Sequence, residues 1–478
     1  MMARSADYEN PGARGPDFFD TMGMLLVKLL VAVVQGAGLL LWWAGLFPML
    51  SLPLAASGAG WWWQGWPLGV FMLSLTLAGW AFWWAWSPGS WRRWVWGRMR
   101  SRWLSWFRYR VGWNKLTATH GLTKILDTGV LTPYLYKVFI GDVADELLIR
   151  MVAGQKVADW AAQTDALRHA FRAVGVRVRH TESGFVRLQV IHKDILQDPV
   201  PLPRVDAKSC DLTALTIGVT EMGQPWRIRL LGNQILVAGM MGSGKGSVIW
   251  SLIAALGPAI REGRVVLWVI DPKGGAEFGA ARRWFARFAY DNGTQALAIL
   301  KDAAEMVQAR GESYMDRSER SITPSVAEPL VLVIVDEAAS LTAYYSDRKI
   351  KDEILRYLGI VLTQSRAMAV PVAGCIQDPS KAILEQRQLF SYRIGLRMAE
   401  STQPNMVFGT TGRDRGALCD EIPETTPGLG YVEHEASTDI TRVRAFWVTD
   451  DDIGWIMDTY PPAPRGDGLD GSGKPLIA

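Results

Sequence analysis

The sequence predicts an α/β protein in which a parallel sheet is covered by helices on both faces, preceded by a two-helix transmembrane anchor and a small α+β domain. Three observations predict it. Short apolar runs alternate with helical segments through the second half of the chain, residues 29–91 carry no Asp, Glu, Lys or Arg, and a glycine-rich loop joins one apolar run to a helix.

The 478 residues exceed one ordinary domain and suit an anchor plus two folded units. A net charge of +4 and a pI near 8.9 average over segments of very different character. The 23 tryptophans and the mean hydropathy of +0.07 owe much to the first hundred residues, as expected of a membrane segment. Two apolar runs, 24–47 and 67–86, are each long enough to cross a bilayer. Between them 51–66, with Pro53, Gly58, Gly60 and Trp61, Trp62, Trp63 and Trp66, reads as a short interfacial turn. Lys28 can snorkel from the first helix. Arg92, Arg93, Arg98, Arg100, Arg102, Arg108, Arg110 and Lys115 follow the second run and mark its cytoplasmic side. The expected location is therefore the cell membrane, with two spans and both termini cytoplasmic. Trp91, Trp94, Trp96, Trp103, Trp106 and Trp113 among these arginines suit a helix on an anionic membrane surface. Packing under a soluble domain and nucleic-acid contact are the alternatives. A cleaved signal peptide is excluded, because its apolar region spans only about 7–15 residues. Cys210, Cys375 and Cys419 lie far apart, which excludes a disulfide framework and a cysteine metal site.

The expected division is a tail at 1–22, the anchor at 23–88, the basic tryptophan-rich segment at 89–115, a small α+β domain at 116–200, the α/β domain at 201–450 and a tail at 451–478. In the small domain a helical period over 156–173 precedes strand-like runs at 176–180 and 185–192. The apolar runs at 235–238, 265–270, 330–335, 370–376 and 392–396 predict the parallel sheet. The Pro/Gly-rich end, 461–478, reads as disordered.

Gly239, Met240, Met241, Gly242, Ser243, Gly244 and Lys245 follow the run 235–238 and open a helix through Gly246 and Ser247. Backbone N–H groups of such a loop cradle phosphates, the helix N-terminus adds its dipole, and Lys245 reaches the β and γ oxygens of ATP. A second match to this pattern, at 468–474, has neither strand nor helix beside it and reads as linker. Gly246 stands where a Ser or Thr usually ligates Mg²⁺; either Ser247 substitutes or water completes the shell. The run 330–335 ends in Asp336, suited to hold Mg²⁺ through water, and Glu337, suited to polarise the attacking water. A helix N-cap is the other reading of such a pair. Gln377 ends the run 370–376 beside the phosphate crevice, where it can hydrogen-bond the γ-phosphate or the water.

These motifs, with Asp271, Pro272 and Lys273 after the second strand, resemble the FtsK/SpoIIIE family of DNA translocases over about 218–448. The Gly244-Lys245-Gly246-Ser247 form of the loop and the two-span anchor are most similar to the Tra proteins of actinobacterial plasmids and integrative elements. The resemblance implies a RecA-like P-loop ATPase of the additional-strand type. It also implies a hexameric ring with double-stranded DNA in its pore, serving conjugal transfer, and an arginine reaching each site from the neighbouring subunit. Arg366 is the candidate, with Arg393 second. Lys273, Arg282, Arg283 and Arg287 in one loop, and Lys381 and Arg387 in another, are expected to face the DNA, giving sequence-independent, salt-sensitive binding. A solvated face is the plainer reading of each. Too few residues follow 448 for the family's winged-helix module, so none is expected. A protein-export ATPase of the type VII secretion kind is the alternative; those chains carry several ATPase domains, whereas this one has a single credible site. An ATP-binding scaffold without turnover rests only on Gly246. The five histidines have no ligand spacing, and Mg²⁺ with the nucleotide is the metal expected.

Overall fold

The computed structural model describes residues 18–126, 129–315, 321–343, 345–380, 383–433 and 439–464. The N-terminal tail, Lys381 and the second glycine-lysine match at 468–474 lie outside them. The chain divides into two compact units, Met1–Trp113 and Asn114–Ala478.

In the first unit, α1 (Phe18–Leu46), α2 (Pro48–Gln64) and α3 (Trp66–Trp86) follow one another with almost no loop. Pro48 and Pro67 occupy the first helical turns of α2 and α3, where a missing N–H costs nothing, and Gly65 bridges the two at φ +85°. Helices α2 and α3 pack so closely that a Cβ on Gly69 would lie 2.6 Å from Trp61 Cβ. The stretches Leu26–Leu46 and Trp66–Trp86, 21 residues each, are long and apolar enough to cross a membrane. The expected turn at 51–66 is corrected: most of it is helix α2. Its prolines at 48 and 53 sit in the first two turns, and Ser51 and Ser57 return hydrogen bonds to preceding carbonyls, so turn-prone composition does not break the helix. From Pro88 to Arg110 the chain stays helical, with π-helical turns at Arg92–Trp96 and Ser105–Arg110. Arg98 lies 4.1 Å over the Trp94 ring and Arg102 4.9 Å over Phe47, so these cations cover aromatic faces.

In the second unit, after a short helix and a hairpin of Lys124–Leu126 with Gly129–Leu131, comes a four-stranded antiparallel sheet of β1 (Tyr134–Phe139), β2 (Ala144–Arg150), β3 (Gly175–His180) and β4 (Phe185–Ile191), in the order β1-β2-β4-β3. Between β2 and β3 the helical period forms two short helices, α4 (Val157–Ala161) and α5 (Thr164–Ala170). Trp160 and Leu167, both fully buried, set the inward faces of these helices.

The large sheet contains β5 (Leu215–Thr220), β6 (Pro225–Ile228), β7 (Ile235–Ala238), β8 (Val265–Ile270), β9 (Arg287–Ala289), β10 (Leu330–Val335), β11 (Val372–Ile376), β12 (Tyr392–Gly395), β13 (Leu429–Glu433) and β14 (Ile440–Trp447). The order is β9-β8-β10-β11-β7-β12-β13-β14-β5-β6, and Val200–Pro201 pairs with β14. From β9 to β12 every pairing is parallel; from β12 to β6 the pairings along this order are antiparallel, and the short Val200–Pro201 strand joins β14 in parallel. The expected parallel sheet is thus one half of a mixed sheet. Helices α6 (Lys245–Arg261), α7 (Thr294–Met315) and α9 (Arg348–Gln364), the short α8 (Ala338–Thr342) and α10 (Asp450–Thr459) pack on it. Along β7, Ile235 and Val237 enter one core while Leu236 and Ala238 enter the other, as the two-residue period requires of a strand covered on both sides. Each fully buried aliphatic side chain here contributes roughly 1.5–3 kcal/mol.

The four-stranded sheet is tied to the large one by charge. Arg177 pairs with Glu221 at 3.4 Å, Arg179 donates to Ile440 O and Thr441 Oγ1 at 3.2 Å each, and Arg442 meets Asp194 at 2.9 Å. Arg444, 1% exposed, donates to the carbonyls of Leu196 and Gln197 at 2.8 and 2.7 Å.

Candidate active site

The glycine-rich loop leaves β7 in the middle of the sheet and hangs between its neighbours, with Gly239 N donating to Ile376 O at 3.0 Å and Met240 N to Arg397 O at 2.9 Å. Gly242 and Gly244 take φ of +74° and +94°, which side chains resist. Gly244 also has no room, since a Cβ there would lie 2.2 Å from Gly428 N. These constraints turn the loop into the N-terminus of α6, whose first N–H groups have no partner within the helix. Lys245 folds back over the loop, donating to Gly239 O at 2.7 Å and Met240 O at 3.1 Å, and burial pushes its ammonium below the usual lysine range. Ser243 Oγ is buried without a hydrogen-bond partner, Met241 is 77% exposed, and Ser247 is half-buried in the first turn of α6.

Asp336 and Glu337 emerge from β10, flanked by β8 and β11. Glu337 is the N-cap of α8, accepting from Ala339 N at 3.4 Å through Oε1, while its buried Oε2 has no hydrogen-bond donor. The capping reading is therefore realised, and the second oxygen of the carboxylate faces the Lys273 ammonium at 3.6 Å, beyond hydrogen-bond distance. Gln377, directly after β11, stands beside the start of the loop because Ile376 pairs with Ala238.

Lys273 corrects an expectation. Instead of reaching outward toward DNA, its ammonium lies 3.1 Å from Asp336 Oδ2 and 3.6 Å from Glu337 Oε2. Burial opposes the lysine's charge, yet the two carboxylates more than offset this and hold its pKa above the usual range. Arg287 is also engaged internally, pairing with Asp302 and lying 5.0 Å over the Trp268 ring. Arg387 is half-buried and donates to Met406 O at 3.2 Å, whereas Arg282 and Arg283 are exposed. Arg366 is exposed after α9, while Arg393 spends its guanidinium on the carbonyls of Phe390, Val407 and Gln388, which disfavours it as a residue reaching a neighbour.

Glu277 and Arg397 escaped the sequence reading, and Asp271 was read there only as part of a motif, without a role. Asp271, fully buried, accepts from the backbone N–H groups of Glu277 at 2.9 Å and Phe278 at 3.0 Å and so shapes the turn after β8. That turn carries Glu277 back to α6, where its carboxylate occupies the space a side chain on Gly246 would need: a Cβ there would lie 2.1 Å from Glu277 Oε1. Neighbouring protein atoms, and then Asp336 and Asp271, push the Glu277 carboxyl above the usual range, although the residue is exposed to solvent on its outer side. Arg397 donates to Met241 O at 3.3 Å and pairs with Glu424, at the outer rim of the loop. The signals were the acids flanking Lys273 and an arginine just beyond a core strand.

Replacing Asp271 by Ala strands the N–H groups of Glu277 and Phe278, each worth about 1–3 kcal/mol when left unpaired in a buried place. The expected outcome is a lower unfolding temperature together with weaker nucleotide binding; an unchanged melt would sink the role given to this carboxylate.

A central strand feeding a glycine-rich loop and helix, with an acid pair on a parallel strand nearby, is the architecture of P-loop nucleotide-binding proteins. The comparisons bear out the likeness to actinobacterial transfer proteins. Residues 94–192 match the family model described as the actinomycete conjugal transfer protein N-terminal domain, a span that takes in the four-stranded sheet. The chain is similar to the transfer protein TraSA of Streptomyces ambofaciens, with 28% identity over 320 residues that cover 63% of this chain and 75% of the relative. Among solved structures it is similar to the monomeric form of the pCW3 conjugation coupling protein TcpA with ATPγS, at 20% identity and a TM-score of 0.48 over 73% of this chain and 98% of that one. The cytoplasmic domain of the type VII secretion ATPase EccC of Thermomonospora curvata matches at 19% identity and a TM-score of 0.43, over 57% and 34% of the two chains.

Proposed function

We propose that this chain is a membrane-anchored ATPase that drives double-stranded DNA through a hexameric ring during conjugal transfer. The observation that carries the reading is the convergence of Lys245, Asp336, Glu337 and Gln377 on one phosphate-binding loop, in a chain similar to a conjugal transfer protein. The motor domain is of the RecA-like, additional-strand type. Lys245 and the loop N–H groups bind the ATP phosphates, Glu337 polarises water, and Gln377 reports the γ-phosphate. Mg²⁺, held by Asp336 and Ser247, neutralises charge on the β and γ oxygens. Arg366 reaches the site of the neighbouring subunit. The two apolar helices anchor the ring in the cell membrane with both termini cytoplasmic, and the DNA backbone runs over Arg282, Arg283, Lys381 and Arg387.

The test is ATP turnover by the full chain in detergent, with and without linear duplex DNA. Strong stimulation by duplex, weakened by adding salt and by Arg282→Ala/Arg283→Ala, is the expected result. Turnover that ignores DNA but responds to a secreted-protein peptide would replace this function with protein export.

A further inference from the structure

Gly246 deprives α6 of the hydroxyl that usually meets the metal of a bound nucleotide, and the fold fills that gap in a specific way. The turn after β8 is drawn in by Asp271, whose Oδ2 takes the N–H groups of Glu277 and Phe278 at 2.9 and 3.0 Å. The Glu277 carboxylate thereby reaches the Cα of Gly246, so that the missing side chain and the incoming one occupy the same space. A glycine at 246 and an acid at 277 are complementary.

The surroundings favour a cation at this spot. Asp336 stands near it from β10, Lys245 from α6 and Lys273 from the same turn as Glu277. The Lys273 ammonium already bridges the two β10 carboxylates, at 3.1 and 3.6 Å, and Glu337 Oε2 is buried with no hydrogen-bond donor. Mg²⁺ in nucleotide sites takes one or two carboxylates, with phosphate and water oxygens completing its octahedron.

We infer that Glu277 is a ligand of the nucleotide-bound Mg²⁺, directly or through one water, standing in for the hydroxyl that Gly246 lacks. This rests on the nucleotide-site reading above and replaces Ser247 in the metal shell. Glu277 supplies a negative charge where the usual ligand is neutral, and Lys273 offsets that charge while the metal is away.

The full chain in detergent, with ATPγS as nucleotide and Mn²⁺ as the metal probe, tests this by counting free Mn²⁺ in electron paramagnetic resonance. Glu277→Gln and Glu277→Ala should each weaken Mn²⁺ binding to the nucleotide complex by about tenfold or more, the effect usual for groups that hold or orient a metal. Binding of a fluorescent ATP analogue in EDTA should be no weaker in either, because a negative charge beside the phosphates is removed, which also shows the variants to be folded. Gly246→Ser should weaken Mn²⁺ binding by displacing the carboxylate, and Gly246→Ser/Glu277→Ala should recover much of it by restoring a hydroxyl ligand. Equal Mn²⁺ affinity in the parent and in both Glu277 variants overturns the inference while leaving the nucleotide site standing. Failure of the parent to bind nucleotide, with or without metal, overturns that site and the inference with it.

Discussion

Glu337→Gln should lower ATP turnover by about 100- to 10,000-fold, the usual range for loss of a positioned base, while nucleotide remains bound. The amide keeps the shape of the carboxylate and can still accept from Ala339 N, so α8 retains its cap. What is lost is the charge on the buried Oε2, the one oxygen of this side chain without a donor. Lys245→Ala should fail one step earlier, with nucleotide affinity itself lost, because the ammonium that caps Gly239 O and Met240 O is the only cation in the loop. Measuring kcat and nucleotide binding side by side separates the two. A Glu337→Gln protein with unimpaired turnover would remove this residue from the chemistry.

Gly244→Ala should be among the more damaging methyl groups in the described residues. Its φ of +94° costs a side chain about 1–2 kcal/mol, and the new carbon would lie 2.2 Å from Gly428 N, on backbone that cannot rotate away. We expect at least about 2 kcal/mol of lost stability, strain of the kind stored at ligand loops, and loss of nucleotide binding. Gly428→Ala is the matched control: its φ is +79°, but its nearest contact is 3.6 Å, so only the backbone cost applies. If both variants melt alike by calorimetry, crowding at Gly244 is not what requires the glycine.

The parallel strands at 265–270, 330–335 and 372–376 were legible because each is an unbroken apolar run, closed by Asp271, Asp336 or Gln377 at the site edge, whereas Arg287–Ala289, three residues long and opened by an arginine, was not. Nor was the antiparallel half. In Ile440–Trp447 the arginines at 442 and 444 break the apolar pattern, and a guanidinium as buried as that of Arg444 is tolerable only because carbonyls 196 and 197 receive it. Helix α2 was hidden by Pro53 and its glycines, whose turn preference yields where neighbouring helices extend the chain. In the site, Lys245, Asp336 and Glu337 could be read from local motifs. The inward turn of Lys273 could not, because its partners lie on another strand some sixty residues on, and the pairing of β8 with β10 brings them together. Glu277 was hidden for a subtler reason: the sign of its presence is the absence of a side chain at Gly246.

Gly428 does more than crowd Gly244. Its N–H donates to Ser243 O at 2.8 Å, and Gly428 leads directly into β13, which pairs along its length with β14. Strand β14 carries Arg444, whose guanidinium grips the carbonyls of the chain returning from the four-stranded sheet. The wall of the glycine-rich loop and the fastening of the four-stranded sheet thus sit side by side at the open end of one hairpin, where Leu429 pairs with Arg444 and Ala445 N donates to Gly428 O at 2.9 Å. A displacement of the loop wall at Gly428 would therefore meet the strand that carries the Arg444 clasp across a single backbone hydrogen bond, with no side chain needed to relay it.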